Sequence, residues 1–206
     1  MSLRQTKSTS GFTLMEVMIA MTILGLLLAN VGLVSRAGTR AAQSGLFEQL
    51  IEDELEQGLD RVRLALMSST AANLYPTFAA PLSQDYIEFS TSLGYENNML
   101  VESEPERISW KAQGSGGQLV WEQNFDQPSK RRVVWSNSVP MLQMGEIANE
   151  LDDNGNGLQD EPGIAFSVEA EASNQAQVYV HLTIEKTNPD GKQVPTARSI
   201  NVTCRN

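Results

Sequence analysis

The pattern of apolar and polar positions changes twice along the chain. Residues 17–35 contain no charged side chain, and a helix over them spans about 28 Å, close to the hydrocarbon thickness of a bilayer. Beyond Arg36, apolar residues recur every three or four positions, which predicts an amphipathic helix. The recurring positions are Phe47, Ile51, Leu55, Leu59, Val62 and Leu66. The two patterns together predict one helix over residues 12–67, of which residues 12–35 cross a membrane.

Past Ser68 the helical period disappears, and short β-type segments alternate with turn signals. The Gly-rich residues 114–117 and the Asn-Pro-Asp-Gly sequence at 188–191 predict two hairpins. Strands are expected over residues 86–89, 107–111, 118–122, 132–136, 164–169, 176–185 and 198–204. Alternation within the sixth of these predicts a core face made of Val178, Val180, Leu182 and Ile184. The sequence therefore predicts an α+β fold, in which a long N-terminal helix packs against an antiparallel β-sheet domain over residues 68–206.

Composition and charge exclude several classes of function. The chain has 206 residues, with 15 basic and 25 acidic side chains and a net charge of −10, whereas nucleic-acid binding needs a concentrated positive surface. The single cysteine, Cys204, rules out an internal disulfide framework. The single histidine, His181, lies on the predicted outer face of a strand, and no known catalytic motif frames it. The chain is therefore predicted not to be an enzyme and not to bind nucleic acid.

One acidic residue, Glu16, lies within the predicted membrane-crossing residues 12–35, directly before the uncharged apolar segment. A carboxylate at membrane depth costs about 2 to 4 kcal/mol, so it needs a physical reason. An ordinary signal peptide is not indicated, because Arg36 occupies the place where small residues would form a cleavage site. One interpretation is a plain N-terminal anchor, with the Glu16 side chain reaching the interface.

The sequence Gly-Phe-Thr-Leu-Met-Glu at residues 11–16, followed at once by the apolar segment, resembles the N-terminus of type IV prepilins and of type II secretion pseudopilins. The resemblance implies that a prepilin peptidase removes residues 1–11 by cleaving after Gly11 and then N-methylates Phe12. It also implies that Glu16 directs assembly by pairing with the terminal amine of a neighbouring subunit, since opposite charges attract strongly in a low dielectric. The chain departs from many relatives at Ser10, where they carry Lys or Arg.

The size of the domain and its place after a long helix look most similar to the J-type minor pseudopilins, and Glu16 argues against the K-type, whose members usually lack that acid. The resemblance implies a pilin-like fold and a structural subunit of a type II secretion pseudopilus or a type IV pilus. It places the chain in the bacterial inner membrane as a single-pass protein with its domain in the periplasm. The implied partners are the prepilin peptidase/N-methyltransferase, other pseudopilins or pilins, the inner-membrane assembly platform and membrane lipid, with a secreted protein as a further candidate. The alternative is a membrane-anchored, calcium-stabilised binding or adhesion module that does not polymerise.

Residues 150–163 carry a motif of oxygen-bearing side chains at alternate positions. With Asp152 as position 1, the segment follows the first half of an EF-hand loop, including a glycine, Gly157, at position 6. The second half departs, since Gly163 takes the place of the bidentate Glu at position 12. An all-oxygen set favours calcium, whereas the competing interpretation is a turn that merely reverses the chain. The expected ligands are Asp152, Asn154, Asn156, the carbonyl of Leu158, and Asp160 or Glu161 as the bidentate acid.

Overall fold

A computed structural model describes residues 11–97, 99–114, 116–170 and 175–204. The contacts divide the chain into two compact units, with the boundary between Leu46 and Phe47. The single long helix, α1, is assigned over Leu14–Met67, so it contributes to both units. It begins two residues after the predicted start and ends at the predicted residue. Residues 1–10, which make up most of the predicted leader, lie outside the described residues.

The second unit contains the β-structure, together with a short 3₁₀-helix at Ala71–Asn73. The strands are β1 (Tyr86–Phe89), β2 (Ser92–Glu96), β3 (Met99–Glu102), β4 (Glu106–Gln113), β5 (Gly116–Gln123), β6 (Arg131–Val139), β7 (Ile164–Ala170), β8 (Ala176–Thr187) and β9 (Gln193–Cys204). Among the described residues they form a four-stranded sheet in the order β1-β4-β5-β6, a hairpin β2-β3, and a three-stranded sheet in the order β7-β8-β9. All the pairings between these strands are antiparallel. The predicted α+β class is confirmed.

The two predicted hairpins are present. Strands β4 and β5 pair across the Gly-rich turn, of which Ser115 lies outside the described residues, and β8 pairs with β9 from Thr187 opposite Gln193. The hairpin β2-β3 was not predicted from the sequence. Its two short strands are mostly exposed, so they lack the alternation of apolar and polar residues that marks a half-buried strand.

The core lies between the second part of α1, residues 47–67, and the two larger sheets, β1-β4-β5-β6 and β7-β8-β9. The predicted helix positions Ile51, Leu55, Leu59, Val62 and Leu66 are fully buried, and Phe47 is partly buried beside them. The predicted core face of β8 is also fully buried, as its four side chains have no exposed area. Gly58 allows the helix to approach closely, since a Cβ there would lie 3.0 Å from Leu182 of β8 and 3.7 Å from Leu119 of β5. One stripe of the helix therefore packs against both sheets.

Polar contacts flank this apolar interface between the helix and the two sheets. Glu54 accepts a hydrogen bond from Ser136 of β6 at 2.6 Å and forms an ion pair with Lys186 of β8. Glu56 pairs with Arg198 of β9, and Arg61 donates to the carbonyl of Trp135 at 3.3 Å. Burial opposes ionisation of Glu54, but the Lys186 ammonium and the bond from Ser136 outweigh it and hold the pKa of Glu54 below its usual value. The carboxylate therefore links the helix to both sheets in its ionised form.

The packing of the helix against the sheets predicts that two leucines of the same helix contribute very differently to stability. We expect Leu55→Ala to lower the free energy of unfolding by about 2 to 5 kcal/mol, because Leu55 is fully buried and its truncation leaves a cavity. The matched control is Leu50→Ala, since Leu50 is 60% exposed and should change the stability by less than about 0.5 kcal/mol. Urea unfolding of the full chain in detergent micelles measures both. Equal losses of unfolding free energy in the two variants would contradict this packing.

The Glu54 contacts predict a pH-dependent contribution. We expect Glu54→Gln to lower the free energy of unfolding at pH 7 by about 1 kcal/mol, because a partly buried charged contact is lost. Since the folded-state pKa lies below the ordinary value of 4.5, the contribution is present above that value and is lost as the pH falls through the folded-state pKa. Urea unfolding between pH 7 and pH 3 should show the two proteins converging in acid. The control, Glu52→Gln, removes an exposed charge from the same helix turn; a loss of the same size there would refute the assignment.

Candidate functional site

The first candidate site is the start of α1. Gly11 and Phe12 precede the helix and are exposed, with Phe12 at 89%. Thr13 is the residue before the first helical position, and its carbonyl accepts the first helical hydrogen bond, from Val17 at 3.3 Å. The Thr13 hydroxyl accepts a bond from the Glu16 amide at 3.3 Å, and Glu16 Oε2 accepts from the Thr13 amide at 2.9 Å. Thr13 and Glu16 thus form a capping box that fixes the Glu16 carboxylate at the helix start.

The helix that follows carries a stretch long and apolar enough to cross a membrane, and none of that stretch is buried within the protein. The polar side chains inside it bond to the helix itself. Thr22 donates to the Met18 carbonyl at 2.5 Å, and Asn30 donates to the Leu26 carbonyl at 2.9 Å. Polar groups satisfied in this way can enter an apolar environment without leaving a donor unpaired. The segment is suited to lipid or to the apolar surface of other helices.

The second candidate site is the loop between β6 and β7, residues 140–163. Its two ends meet in a bridge between Leu142 and Pro162, and it is anchored to β8 through Gln143. The Gln143 side chain donates to the carbonyl of Gly163 at 3.0 Å and accepts a bond from the fully buried Thr183 hydroxyl at 2.5 Å. The Gln143 amide donates to the Glu161 carbonyl at 3.0 Å. These contacts place the predicted calcium motif against the second sheet.

Two of the predicted ligands have their carboxylates engaged with the backbone of the loop. Asp152 accepts bonds from the amides of Gly155 at 2.6 Å, Asn156 at 3.2 Å and Gly157 at 2.8 Å. Gly157 has a φ of +90°, which is the sharp turn predicted at position 6 of the motif. In the same way, the two oxygens of Asp160 accept bonds from the successive amides of residues 149 and 150, at 2.8 and 2.7 Å. Both acids therefore shape the loop.

The structure brings the remaining polar side chains together around Glu161, which is fully buried. Asn154 donates to Glu161 Oε1 at 2.8 Å, and Asn156 donates to the same oxygen. The amide of Asn154 donates to Glu146 Oε1 at 3.0 Å, so a second acid joins the group. Burial raises the pKa of Glu146, the bond from Asn154 lowers it, and the negative charge of Glu161 raises it further; the net direction is upward. The cluster thus holds two acids close enough to affect each other.

Leu158 and Glu146 complete the comparison with the predicted ligands. The Leu158 side chain is buried and anchors the loop, while its amide donates to Asn156 Oδ1 at 2.9 Å. Glu146 was missed in the sequence, because it lies six residues before the motif and belongs to no recognisable spacing. Across the described part of the chain, no three His, Cys, Asp or Glu side chains are gathered in a group that could hold a metal ion. The calcium ligand set therefore stays a prediction.

The remaining reactive side chains take part in packing. His181 lies on the outer face of β8, where its Nδ1 is 2.7 Å from the hydroxyl of Ser199 on β9. Burial lowers the pKa of His181, and the charge of Glu161 opposes this effect. Cys204 is fully buried, and burial raises the pKa of its thiol against a hydrogen bond with Ser69. A neutral imidazole and a protonated thiol are the forms expected at neutral pH.

Comparisons with known proteins bear on the N-terminal site alone. The family described as the prokaryotic N-terminal methylation motif matches residues 6–29. The match covers the predicted cleavage site, the capping box and the first part of the apolar segment. No curated protein and no solved structure matches the chain. The chain therefore carries the N-terminal motif of a type IV pilin-like or pseudopilin-like precursor, which is the class that prepilin peptidase processes.

The capping box predicts that Thr13 stabilises the first turn of the helix. We expect Thr13→Ala to weaken that turn by about 1 kcal/mol, because the amide of Glu16 loses its acceptor. Hydrogen exchange of the amides of residues 13 and 16, measured on the full chain in micelles, should become about fivefold faster. Thr13→Ser keeps the hydroxyl and is the control. Unchanged exchange in Thr13→Ala would argue against the capping box.

Proposed function

We propose that the protein is a structural subunit, a minor pseudopilin of a type II secretion system or a minor type IV pilin, processed by prepilin peptidase and assembled through its N-terminal helix. The observation that carries this proposal is the methylation motif at residues 6–29, in register with a long apolar segment that the chain does not bury. An anchor alone needs only the apolar segment. The additional Gly-Phe at the cleavage position and the acid at Glu16 support a retained, processed helix.

The geometry of the capping box supports a role for Glu16 in assembly. Both bonds from Thr13 fall on Glu16 Oε2, and Oε1 carries no bond to any other described residue. After cleavage behind Gly11, the new terminus at Phe12 is a positive amine. A neighbouring subunit's amine can then pair with Oε1 while the capping box holds the carboxylate in place. Thr13 thus orients the acid for a contact made only in the filament.

The proposal assigns the chain to the minor, J-type subunits and places the β-rich unit in the periplasm. Its core includes the second part of α1, so the domain is joined rigidly to its own portion of the helix. The partners that follow from the proposal are the prepilin peptidase/N-methyltransferase, sister pseudopilins or pilins, the inner-membrane assembly platform and membrane lipid.

Two substitutions test the proposal at separate steps. Gly11→Leu should leave the leader attached, because it replaces the residue after which the proposed cleavage occurs. Mass spectrometry of the membrane-bound protein measures this directly. Glu16→Gln should be processed normally but reduce secretion or piliation by at least about tenfold, since the amide keeps the capping box but lacks the charge. The assay is carried out in the cell that makes the protein.

The matched control is Glu48→Gln, which removes an exposed acid from the same helix outside the apolar segment. It should be processed and function as the unaltered chain does. If secretion or piliation survives both Gly11→Leu and Glu16→Gln, the filament proposal is wrong, and an anchored domain that does not polymerise takes its place.

A further inference from the structure

Two buried acids of the β6–β7 loop each carry one oxygen without a partner. Glu161 is fully buried and Glu146 is 8% exposed. Glu146 Oε1 accepts from the backbone amide of Asn154, and Glu161 Oε1 accepts from the side chains of Asn154 and Asn156. No donor among the described residues reaches Oε2 of either acid. A buried carboxylate oxygen without a donor is more costly than an ordinary unpaired polar group, because the charge as well as the hydrogen bond has been removed from water. The two orphaned oxygens need a positive partner.

The two acids belong to one cluster. Asn154 joins them, since its backbone amide donates to Glu146 and its side chain donates to Glu161. Their like charges repel, which adds to the cost of burying them together. The ion pairs found among the described residues engage other acids, namely Asp60, Glu88, Glu122, Glu54 and Glu56. No lysine or arginine among the described residues forms an ion pair with either acid. The charge of Glu161 acts on His181, but burial lowers the pKa of that imidazole, so His181 does not supply the missing positive charge at neutral pH.

We propose that Glu146 and Glu161 bind a calcium ion through their unpartnered Oε2 atoms, and that this ion is what stabilises the loop between β6 and β7. This inference does not depend on how the N-terminus is processed. Two carboxylates balance the charge of one divalent cation, and carbonyl oxygens and water can supply the rest of a calcium shell. No three His, Cys, Asp or Glu side chains among the described residues form a group that could hold a metal ion, so the two glutamates need backbone carbonyls and water to complete the shell. Calcium accepts such ligands, whereas zinc prefers a compact set of nitrogen or sulfur ligands.

The proposal changes the roles expected from the sequence motif. Asp152 and Asp160 use their oxygens on backbone amides, so they set the shape of the loop and hold Asn154 and Asn156 against Glu161. The acid from outside the motif, Glu146, takes the place that the EF-hand pattern gives to its last residue. The residues of the motif thus fix the conformation of the loop, and the two buried glutamates bind the ion.

The experiment uses the full chain in detergent micelles, freed of metal by EGTA and dialysis, with CaCl₂ as the probe. Calcium should raise the melting temperature in proportion to the logarithm of its concentration, and calorimetric titration should show one site per chain. Glu146→Gln should weaken calcium binding by at least about tenfold. Without calcium this variant should melt at or above the temperature of the unaltered protein, because one of two like charges is gone. Glu161→Gln should weaken calcium binding equally.

Glu150→Gln is the matched control, because it makes the same change at an exposed acid of the same loop. It should keep the full calcium response, and MgCl₂ should act at least about tenfold more weakly than CaCl₂ on the unaltered protein. The proposal is overturned if millimolar calcium produces neither heat nor a change in melting temperature, or if Glu146→Gln responds as Glu150→Gln does. A calcium-free Glu146→Gln that melts below the unaltered protein would also contradict it, since its Glu146 would then not be an uncompensated charge.

Discussion

The second part of α1 packs one apolar stripe against two separate β-sheets, and the rest of the domain depends on that contact. Gly58 lies beside Leu119 of the four-stranded sheet and Leu182 of the three-stranded sheet, so the helix backbone approaches both. A sheet with one apolar side must bury that side against another layer. The helix supplies that layer, and the Glu54 and Glu56 contacts fix its rotation at the margin of the interface.

The first part of the same helix, residues 14–46, is exposed rather than buried. Its apolar side chains are exposed on all sides, and no described segment of the chain covers them. Such a surface is stable only in lipid or against other apolar helices, because water disfavours it at every face. The capping box at Thr13 and Glu16 then places a single charge at the end of this surface. In the proposed filament, this oriented charge sets the register of neighbouring subunits.

The β6–β7 loop illustrates how short polar side chains can build a site without belonging to it. Asp152 and Asp160 accept backbone amides that a tight loop would otherwise leave unpaired, and Asn154 and Asn156 bond to neighbouring amides while donating to Glu161. These bonds bring a buried acid from the end of the loop next to another from its beginning. The loop thus holds two buried acids close enough for the charge of one to act on the other.

The sequence by itself determined the helix, its buried stripe, most of the strands and the N-terminal motif, because each is a local or periodic pattern in which neighbouring residues carry the information. It also indicated the Asp152 loop and the turn at Gly157. The exposed hairpin β2-β3 left no periodic signal. Only the tertiary structure decided that Asp152 and Asp160 accept hydrogen bonds from backbone amides and that Glu146 lies beside Glu161. The physical reason is that burial and the choice of hydrogen-bond partner depend on segments brought together by folding, which spacing along a chain does not encode.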